Sequence, residues 1–172
     1  MNKIQAHITG TIISSNSSEA YSIAKNSNIG EHIEEKINYL PEEAFYLLEQ
    51  KKLEILQKGK FLSRQEIRKN FQKIDKKFSI KYPVFKDLRK KGYTLKTGLK
   101  FGADYRVYEK SKKPSEVHAK WLIFVEHESN KTSWQEFSAK NRVANSTKKK
   151  LLLAIVDNEE NPTYYEVGWL KP

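Results

Sequence analysis

The chain has 172 residues, no cysteine and a formal net charge of +11 at pH 7. The lack of cysteine excludes disulfides, thiolate metal sites and cysteine nucleophiles, and no apolar run approaches the roughly 20 residues of a membrane span. A protein this basic is expected to bind a polyanion, and nucleic acid is favoured over a membrane surface. The first residues lack the apolar core of a signal peptide, so a cytoplasmic location is expected.

Residues 1–80 predict a small α+β domain. Strands are expected at residues 4–8, 11–14, 20–24, 36–40 and 53–56. Pro41 opens a helix, because proline fits the first helical position. Ser63 followed by Glu66 forms a capping box for a second helix that reaches about Phe78. This half carries no motif with recognisable chemistry.

A domain boundary is expected near residue 80, because the second helix must end before Pro83. Residues 81–172 then begin with a short helix that ends at Gly92, where a left-handed cap is favoured. Further strands are expected at residues 93–96, 104–109, 118–125, 151–156 and 163–170, with a helix over residues 132–145. This order predicts an α/β domain in which a mixed sheet has a helix on either face.

The strand predicted at residues 104–109 carries the first candidate for catalysis. Its alternation places Asp104, Arg106 and Tyr108 on one face of the sheet. A tyrosine on a polar, cationic face, followed by a basic loop and His118, indicates a candidate catalytic centre.

Other catalytic classes have little support in the sequence. None of the four histidines forms a paired-ligand spacing, and no glycine-rich phosphate loop is present. Asp104 suits the first ligand of a metal-dependent nuclease on a mixed sheet. Such a nuclease also carries an acidic residue two positions before a lysine, but the residue two positions before Lys120 is His118. The pattern therefore argues against metal-dependent cleavage.

RNA cleavage without a metal needs only a base, an acid and a cation, because the neighbouring 2′-hydroxyl is the nucleophile. Tyr108, His118 and a lysine from residues 148–150 would fill these roles. A free tyrosine, with a pKa near 10, is a poor base and needs nearby cations to favour its phenolate. From the residues alone, a surface tyrosine, a structural histidine and solvated lysines stay open, as does a module that only binds RNA.

The second half resembles the archaeal tRNA-splicing endonucleases, the tRNA-intron endonuclease family. The resemblance is carried by residues 82–109, 117–125 and 142–157 and by the ending YYEVGWLKP at residues 164–172. It implies a restriction-endonuclease-like catalytic domain over residues 81–172 and, more loosely, the family's small N-terminal domain over residues 1–80.

The resemblance also implies roles for four residues. Tyr108 matches the general base, His118 the general acid and Lys149 the catalytic lysine, while Arg142 matches an arginine that stacks on a base of the RNA bulge. Enzymes of this family cleave precursor tRNA at the bulge–helix–bulge of exon–intron junctions. They leave a 2′,3′-cyclic phosphate and a 5′-hydroxyl, and they use no metal or other cofactor.

Assembly is implied in the same way. Two bulges require two active sites, and family members pair their C-terminal strands across a two-fold axis and insert an acidic loop, here residues 157–160, between dimers. A homotetramer is expected, with a heterotetramer containing a structural subunit as the alternative. The chain departs from the family pattern at Ser111, Ala119 and Asn145, which affects loop flexibility and the surroundings of the site but leaves the three catalytic positions intact.

Overall fold

The computed structural model describes residues 2–172, and the chain divides into two compact units, Met1–Ser79 and Ile80–Pro172. Each unit contains its own β-sheet. Within residues 2–172, no helix combines the length and the apolar character that crossing a bilayer requires.

Six strands form the sheet of the N-terminal unit: β1 (Ile4–Thr9), β2 (Ile12–Ser15), β3 (Glu31–Ile33), β4 (Lys36–Tyr39), β5 (Leu53–Gln57) and β6 (Lys60–Phe61). Their order is β3-β4-β2-β1-β5-β6. β1 and β5 are parallel, and the other neighbouring pairs are antiparallel. The prediction found the four longer strands and missed β3 and β6, which are too short for alternation to reveal.

The segment 20–24 was predicted as a strand, and this prediction is wrong because it lies in helix α1 (Ser18–Ser27). Ser17 caps the helix, since its side-chain oxygen accepts a hydrogen bond from the Ala20 N–H. Ala20 and Ile23 are buried and lie three residues apart, on one side of a helix. The cap and this helical spacing outweigh the strand preference of the local residues.

Helices α2 (Pro41–Glu49) and α3 (Arg64–Ile74) confirm both predicted starts. At the start of α3, the Ser63 side chain accepts from the Glu66 N–H, and the Glu66 carboxylate accepts from the Ser63 N–H at 2.8 Å. The predicted end near Phe78 is wrong, because α3 ends at Ile74 and a new helix begins at Phe78.

The second helix does end before Pro83, as expected, but helix α4 (Phe78–Lys90) begins earlier than predicted and therefore contains this proline. A proline inside a helix removes one backbone donor and costs about 3 kcal/mol. Tyr82, Val84 and Phe85, on both sides of it, are buried, and their burial offsets that cost. The division between the two units falls in the first turn of this helix.

The end of α4 confirms the predicted glycine cap. Gly92 has φ +92°, and the Tyr93 N–H donates to the carbonyl oxygen of Leu88 at 3.0 Å. This bond closes the helix in the way that a left-handed glycine permits.

Five strands form the sheet of the C-terminal unit: β7 (Thr94–Thr97), β8 (Tyr105–Tyr108), β9 (Trp121–His127), β10 (Lys150–Val156) and β11 (Pro162–Val167). Their order is β11-β10-β9-β8-β7, and helix α5 (Trp134–Ser146) joins β9 to β10. β9 and β10 are parallel and the other pairs antiparallel, so the predicted mixed sheet and its element order are confirmed. The last strand ends at Val167, before the predicted Leu170.

The two helices of this unit cover opposite faces of the sheet. Phe85 of α4 packs against Tyr105 of β8, with ring centroids 6.0 Å apart. Ala144 of α5 belongs to a buried cluster with Leu122 of β9. Tyr105 lies opposite Ile123, the next residue after Leu122, so the two contacts are on different faces. The prediction of a helix on either face is confirmed.

Candidate active site

Three neighbouring strands of the C-terminal sheet have termini along the same side of the sheet, perpendicular to the strands: β8 ends there, and β9 and β10 begin there. Val107 lies opposite Trp121, and Trp121 lies opposite Lys150. Tyr108 and Lys149 therefore stand at the same level of the sheet, two strands apart, at a Cα separation of roughly 10 Å. We name Tyr108, residues 109–120 and residues 148–150 together the basic edge.

Tyr108 is almost fully buried at this edge, with 3% of its surface exposed. Alternation along β8 places it on the same face as Arg106, as predicted, but the ring is buried there and does not project from a polar surface. Arg106 is only partly exposed and its Nε donates to the carbonyl oxygen of Thr97 at 2.9 Å. Arg106 also lies opposite Leu122, in the region that α5 covers.

His118 was predicted at the start of a strand, but β9 begins three residues later at Trp121. His118 is exposed, in the loop of residues 109–120 that connects Tyr108 to β9. Its neighbour Ala119 is buried and anchors this part of the loop. The structure thus places the imidazole in solvent at the basic edge.

The base of this loop is closed by two contacts. Glu109 and Lys120 form an ion pair, and the Lys120 N–H donates to the carbonyl oxygen of Val107 at 2.9 Å. The hydrogen bond between the two side chains lowers the pKa of Glu109 and raises the pKa of Lys120. Both ends of the loop are therefore held at the sheet, on either side of His118.

Lys149 lies between the end of α5 and the start of β10. Its N–H donates to the carbonyl oxygen of Ala144 at 2.8 Å, a turn made possible by Lys148 at φ +55°. Its ammonium donates to the carbonyl oxygen of Thr147 at 3.1 Å and lies 5.0 Å from the centre of the Phe101 ring. Backbone and side chain of Lys149 are thus both held.

The neighbouring lysines have different surroundings. Lys150 pairs with Glu166 at 2.8 Å, and Glu166 also accepts from the Trp121 indole N–H at 2.8 Å. These two hydrogen bonds lower the pKa of Glu166. Lys148 is exposed, whereas Lys149 is partly buried. Of the three lysines left open by the sequence, Lys149 is the one whose ammonium has a fixed position without a carboxylate beside it.

Arg142 is exposed on α5, near the end of the helix that leads to the basic edge. It lines a shallow depression of about 250 Å³ together with Phe137, Asn141 and Trp169. Sequence analysis identified the arginine but not Trp169, whose neighbourhood depends on the path of the chain after β11.

Asp104, the first ligand in the metal-dependent alternative, has a structural contact instead. Its Oδ2 accepts a hydrogen bond from the Val125 N–H at 2.7 Å, and its own N–H donates to the carbonyl oxygen of Ile123 at 3.0 Å. Asp104 therefore joins the start of β8 to β9. Among residues 2–172, no three His, Cys, Asp or Glu side chains are grouped as metal ligands would be.

Charge is unevenly distributed in the molecule. Residues 80–172 contain 19 Lys and Arg against 11 Asp and Glu, a net charge of +8, whereas residues 1–79 contain 13 against 10, a net charge of +3. Within the C-terminal unit, carboxylates gather where β9 and β10 end, opposite the basic edge. We name this group the acidic edge, and its members are Glu126, Glu128, Glu136, Asp157, Glu159 and Glu160.

A second tyrosine near the sheet is unsuited to act as a base. The Tyr164 hydroxyl donates to the Asp87 carboxylate at 2.7 Å. Burial, and then this hydrogen bond, raise the pKa of Tyr164 above its usual range. Tyr164 also lies in β11, away from the end of β8.

Phe101 is a second residue, besides Trp169, that sequence analysis missed. Its segment was interpreted only as a turn between Gly98 and Gly102, and the turn is confirmed. The contact with Lys149 has no local signal, because the turn folds back over the sheet to make it.

Both units of the chain are similar in sequence to known proteins. Residues 78–164 match the family model described as tRNA intron endonuclease, catalytic C-terminal domain, and residues 6–68 match that of tRNA intron endonuclease, N-terminal domain. The chain is 44% identical over 136 residues to the tRNA-splicing endonuclease of Nanoarchaeum equitans, covering 76% of this chain and 87% of that protein. It is 36% identical over 169 residues to the tRNA-splicing endonuclease of Pyrococcus horikoshii, covering 98% and 97%.

Proposed function

Because this chain belongs to the tRNA intron endonuclease family, we propose that it is a tRNA-splicing endonuclease. Its substrate would be precursor tRNA, cleaved at the bulge–helix–bulge of exon–intron junctions. The observation that carries this proposal is the basic edge, where Tyr108 and Lys149 share one level of the sheet and the loop with His118 lies between their strands.

The proposed reaction is attack by the 2′-hydroxyl on the adjacent phosphorus. Tyr108 takes the 2′ proton while the O2′–P bond forms, and Lys149 stabilises the negative charge that develops on the phosphate oxygens. His118 then donates a proton to the 5′ oxygen as the P–O5′ bond breaks. The products are a 2′,3′-cyclic phosphate and a 5′-hydroxyl. Substrate and side chains supply every group that this route needs, so no metal or other cofactor takes part.

RNA binding follows from the charge of the same unit. Lys110, Lys112 and Lys148 are exposed around the catalytic positions and would contact phosphates. Arg142 would stack on an unpaired base of the bulge, and Trp169 offers an aromatic surface beside it. Affinity for precursor tRNA should fall steeply with salt concentration.

The assembly proposed is a homotetramer, with a heterotetramer that includes a structural subunit as the alternative. β11 is an edge strand, and 55% of the surface of Tyr165 in it is exposed, which suits pairing with the β11 of a second copy. The acidic hairpin at residues 157–160 would contact the other dimer. We further infer a restriction-endonuclease-like catalytic domain and action in the cytoplasm on newly made tRNA.

The test is to incubate the purified chain alone with an intron-containing precursor tRNA in EDTA and to analyse the product ends. Cleavage to a 2′,3′-cyclic phosphate and a 5′-hydroxyl is expected. Products ending in 5′-phosphate, or cleavage that stops when EDTA is added, would overturn the metal-free reaction. If the chain binds both this precursor and a model bulge–helix–bulge RNA but cleaves neither, the alternative of a non-catalytic RNA-binding subunit is favoured.

A further inference from the structure

Phe101 lies under the ammonium of Lys149. The Lys149 Nζ is 5.0 Å from the centre of the Phe101 ring, within the distance at which a cation is attracted by the face of an aromatic ring. The same ammonium donates to the carbonyl oxygen of Thr147. An ammonium has three donors, so these two contacts leave donor capacity for a substrate phosphate.

The segment that carries Phe101 is held in one conformation. The Phe101 N–H donates to the carbonyl oxygen of Gly98 at 2.8 Å, and Gly102 has φ +65°. At Gly98 a Cβ would come within 2.8 Å of the carbonyl oxygen of Ala103, so only glycine fits this turn. Asp104 then joins the end of the segment to β9 through Val125. The ring is therefore attached to the sheet at both ends of a short, rigid segment.

The ring also packs against the C-terminal core. Phe101 contacts a buried cluster to which Leu122, Ala144 and Leu151 belong. These residues come from β9, α5 and β10, the elements that fix the backbone of Lys149. The ring and the lysine backbone thus share one support, so that the ammonium is positioned relative to the strands that end at Tyr108.

We propose that Phe101 is a positioning residue for Lys149. A lysine side chain has many rotamers, and each misplaced one removes the cation from the reacting phosphate. The ring face limits this freedom without adding a carboxylate that would neutralise the charge. This inference rests on the proposed function, because it requires that Lys149 stabilises the transition state of RNA cleavage.

The test compares Phe101→Leu with Phe101→Tyr. Leucine keeps an apolar side chain but removes the ring face, whereas tyrosine keeps the face. In single-turnover cleavage of precursor tRNA, we expect Phe101→Leu to lower the rate constant by roughly 3- to 30-fold and Phe101→Tyr to lower it by less than about 3-fold. Binding of a precursor with a 2′-deoxy nucleotide at the cleavage site, which cannot react, should change by less than about 2-fold in both variants.

Adding Lys149→Ala separates positioning from a general structural role. If the ring acts through the lysine, Phe101→Leu lowers the cleavage rate of the wild type but not that of Lys149→Ala. An equal loss in both backgrounds would overturn the inference, and so would wild-type cleavage by Phe101→Leu. Full activity of Lys149→Ala would overturn the proposed role of the lysine itself, and with it this inference.

A measurement without RNA tests the same contact. Protons that lie over an aromatic ring are shifted upfield in NMR spectra, so the side-chain methylene signals of Lys149 should be upfield of those of Lys148. Phe101→Tyr should retain this shift and Phe101→Leu should lose it. If Phe101→Leu does not fold, the wild-type spectrum decides, since an unshifted Lys149 would overturn the inference.

Discussion

The two edges of the C-terminal sheet contain charged groups in different states. At the acidic edge, carboxylates are engaged by nearby backbone and side-chain donors: Glu136 accepts from the Ser133 N–H at 3.0 Å, and Asp157 accepts from the Asn161 N–H at 2.8 Å. At the basic edge, the ammonium of Lys149 contacts the Phe101 ring and the carbonyl oxygen of Thr147, and no carboxylate within residues 2–172 pairs with it. Lys149 therefore keeps a charge that a substrate can use.

One sheet can thus hold groups that stabilise the fold at one end of its strands and the proposed catalytic groups at the other end. β9 and β10 are parallel, so their starts meet at one edge and their ends at the other. A helix cap and a turn at their ends engage the carboxylates of Glu136 and Asp157. At their starts, the loop with His118 and the turn before Lys149 leave polar groups beside the end of β8.

The largest expected effect is at the basic edge. Lys149→Ala should lower the rate constant of precursor tRNA cleavage by about 10²- to 10⁴-fold, because it removes the cation beside the reacting phosphate. Lys148→Ala is the matched control, since it removes the same charge from the adjacent, exposed position. It should change cleavage by less than about 10-fold. Equal losses of cleavage rate in the two variants would mean that the rate depends on the net charge of this region and not on the positioned ammonium of Lys149.

Features of the fold that depend on a few neighbouring residues were predictable from the sequence, and these include the strands that meet at the basic edge. The cap at Ser63 and the glycine at Gly92 each act within one helical turn, so a few neighbouring residues suffice to identify them. The continuation of α4 through Pro83 was not predictable. The burial of neighbouring residues offsets the free-energy cost of a proline inside a helix, and only the folded chain supplies that burial. Burial decides such cases, and burial is a property of the whole unit.

The sequence supplied candidates for the site but not their environment. Tyr108 and His118 were candidates from the residues themselves, and the family resemblance selected Lys149 and added Arg142. The burial of Tyr108 and the position of His118 outside β9 depend on the packing of the whole unit, which no local pattern specifies. The contact between Phe101 and Lys149 joins segments distant in sequence, and no local pattern encodes it.

A change at the acidic edge should affect assembly before it affects chemistry. Glu159 is exposed at the tip of the hairpin between β10 and β11. If this hairpin contacts another dimer, Glu159→Lys should raise the concentration at which the tetramer dissociates by about tenfold, because it introduces a like charge opposite a basic surface. Light scattering over a dilution series measures this. Glu159→Gln is the control, and a mass unchanged by both variants would contradict the proposed role of the hairpin.

Lys148 allows the stability of the basic edge to be changed next to Lys149, the proposed catalytic lysine. At φ +55°, a residue with a Cβ is strained by roughly 1 kcal/mol, and glycine is not. Lys148→Gly should therefore be more stable than Lys148→Ala by about 1 kcal/mol, with a Tm higher by about 2–4 °C. Both variants lose the same charge, so their difference measures the backbone alone. A less stable glycine variant would show that chain entropy outweighs the strain.

The smallest effect concerns pH at the acidic edge. The hydrogen bond from the Asn161 N–H lowers the pKa of Asp157. The Oδ1 atom of Asp157 also accepts from the Glu159 N–H at 2.9 Å. A carboxyl whose pKa is lower in the folded state stabilises that state above its unfolded pKa, near 3.9, and this contribution disappears as the pH falls through the folded pKa. Asp157→Asn should therefore be less stable than wild type at pH 7, and the difference should vanish near pH 2. Urea unfolding at both pH values measures this. A difference that persists in acid would mean that side-chain geometry, and not the charge of Asp157, holds the hairpin.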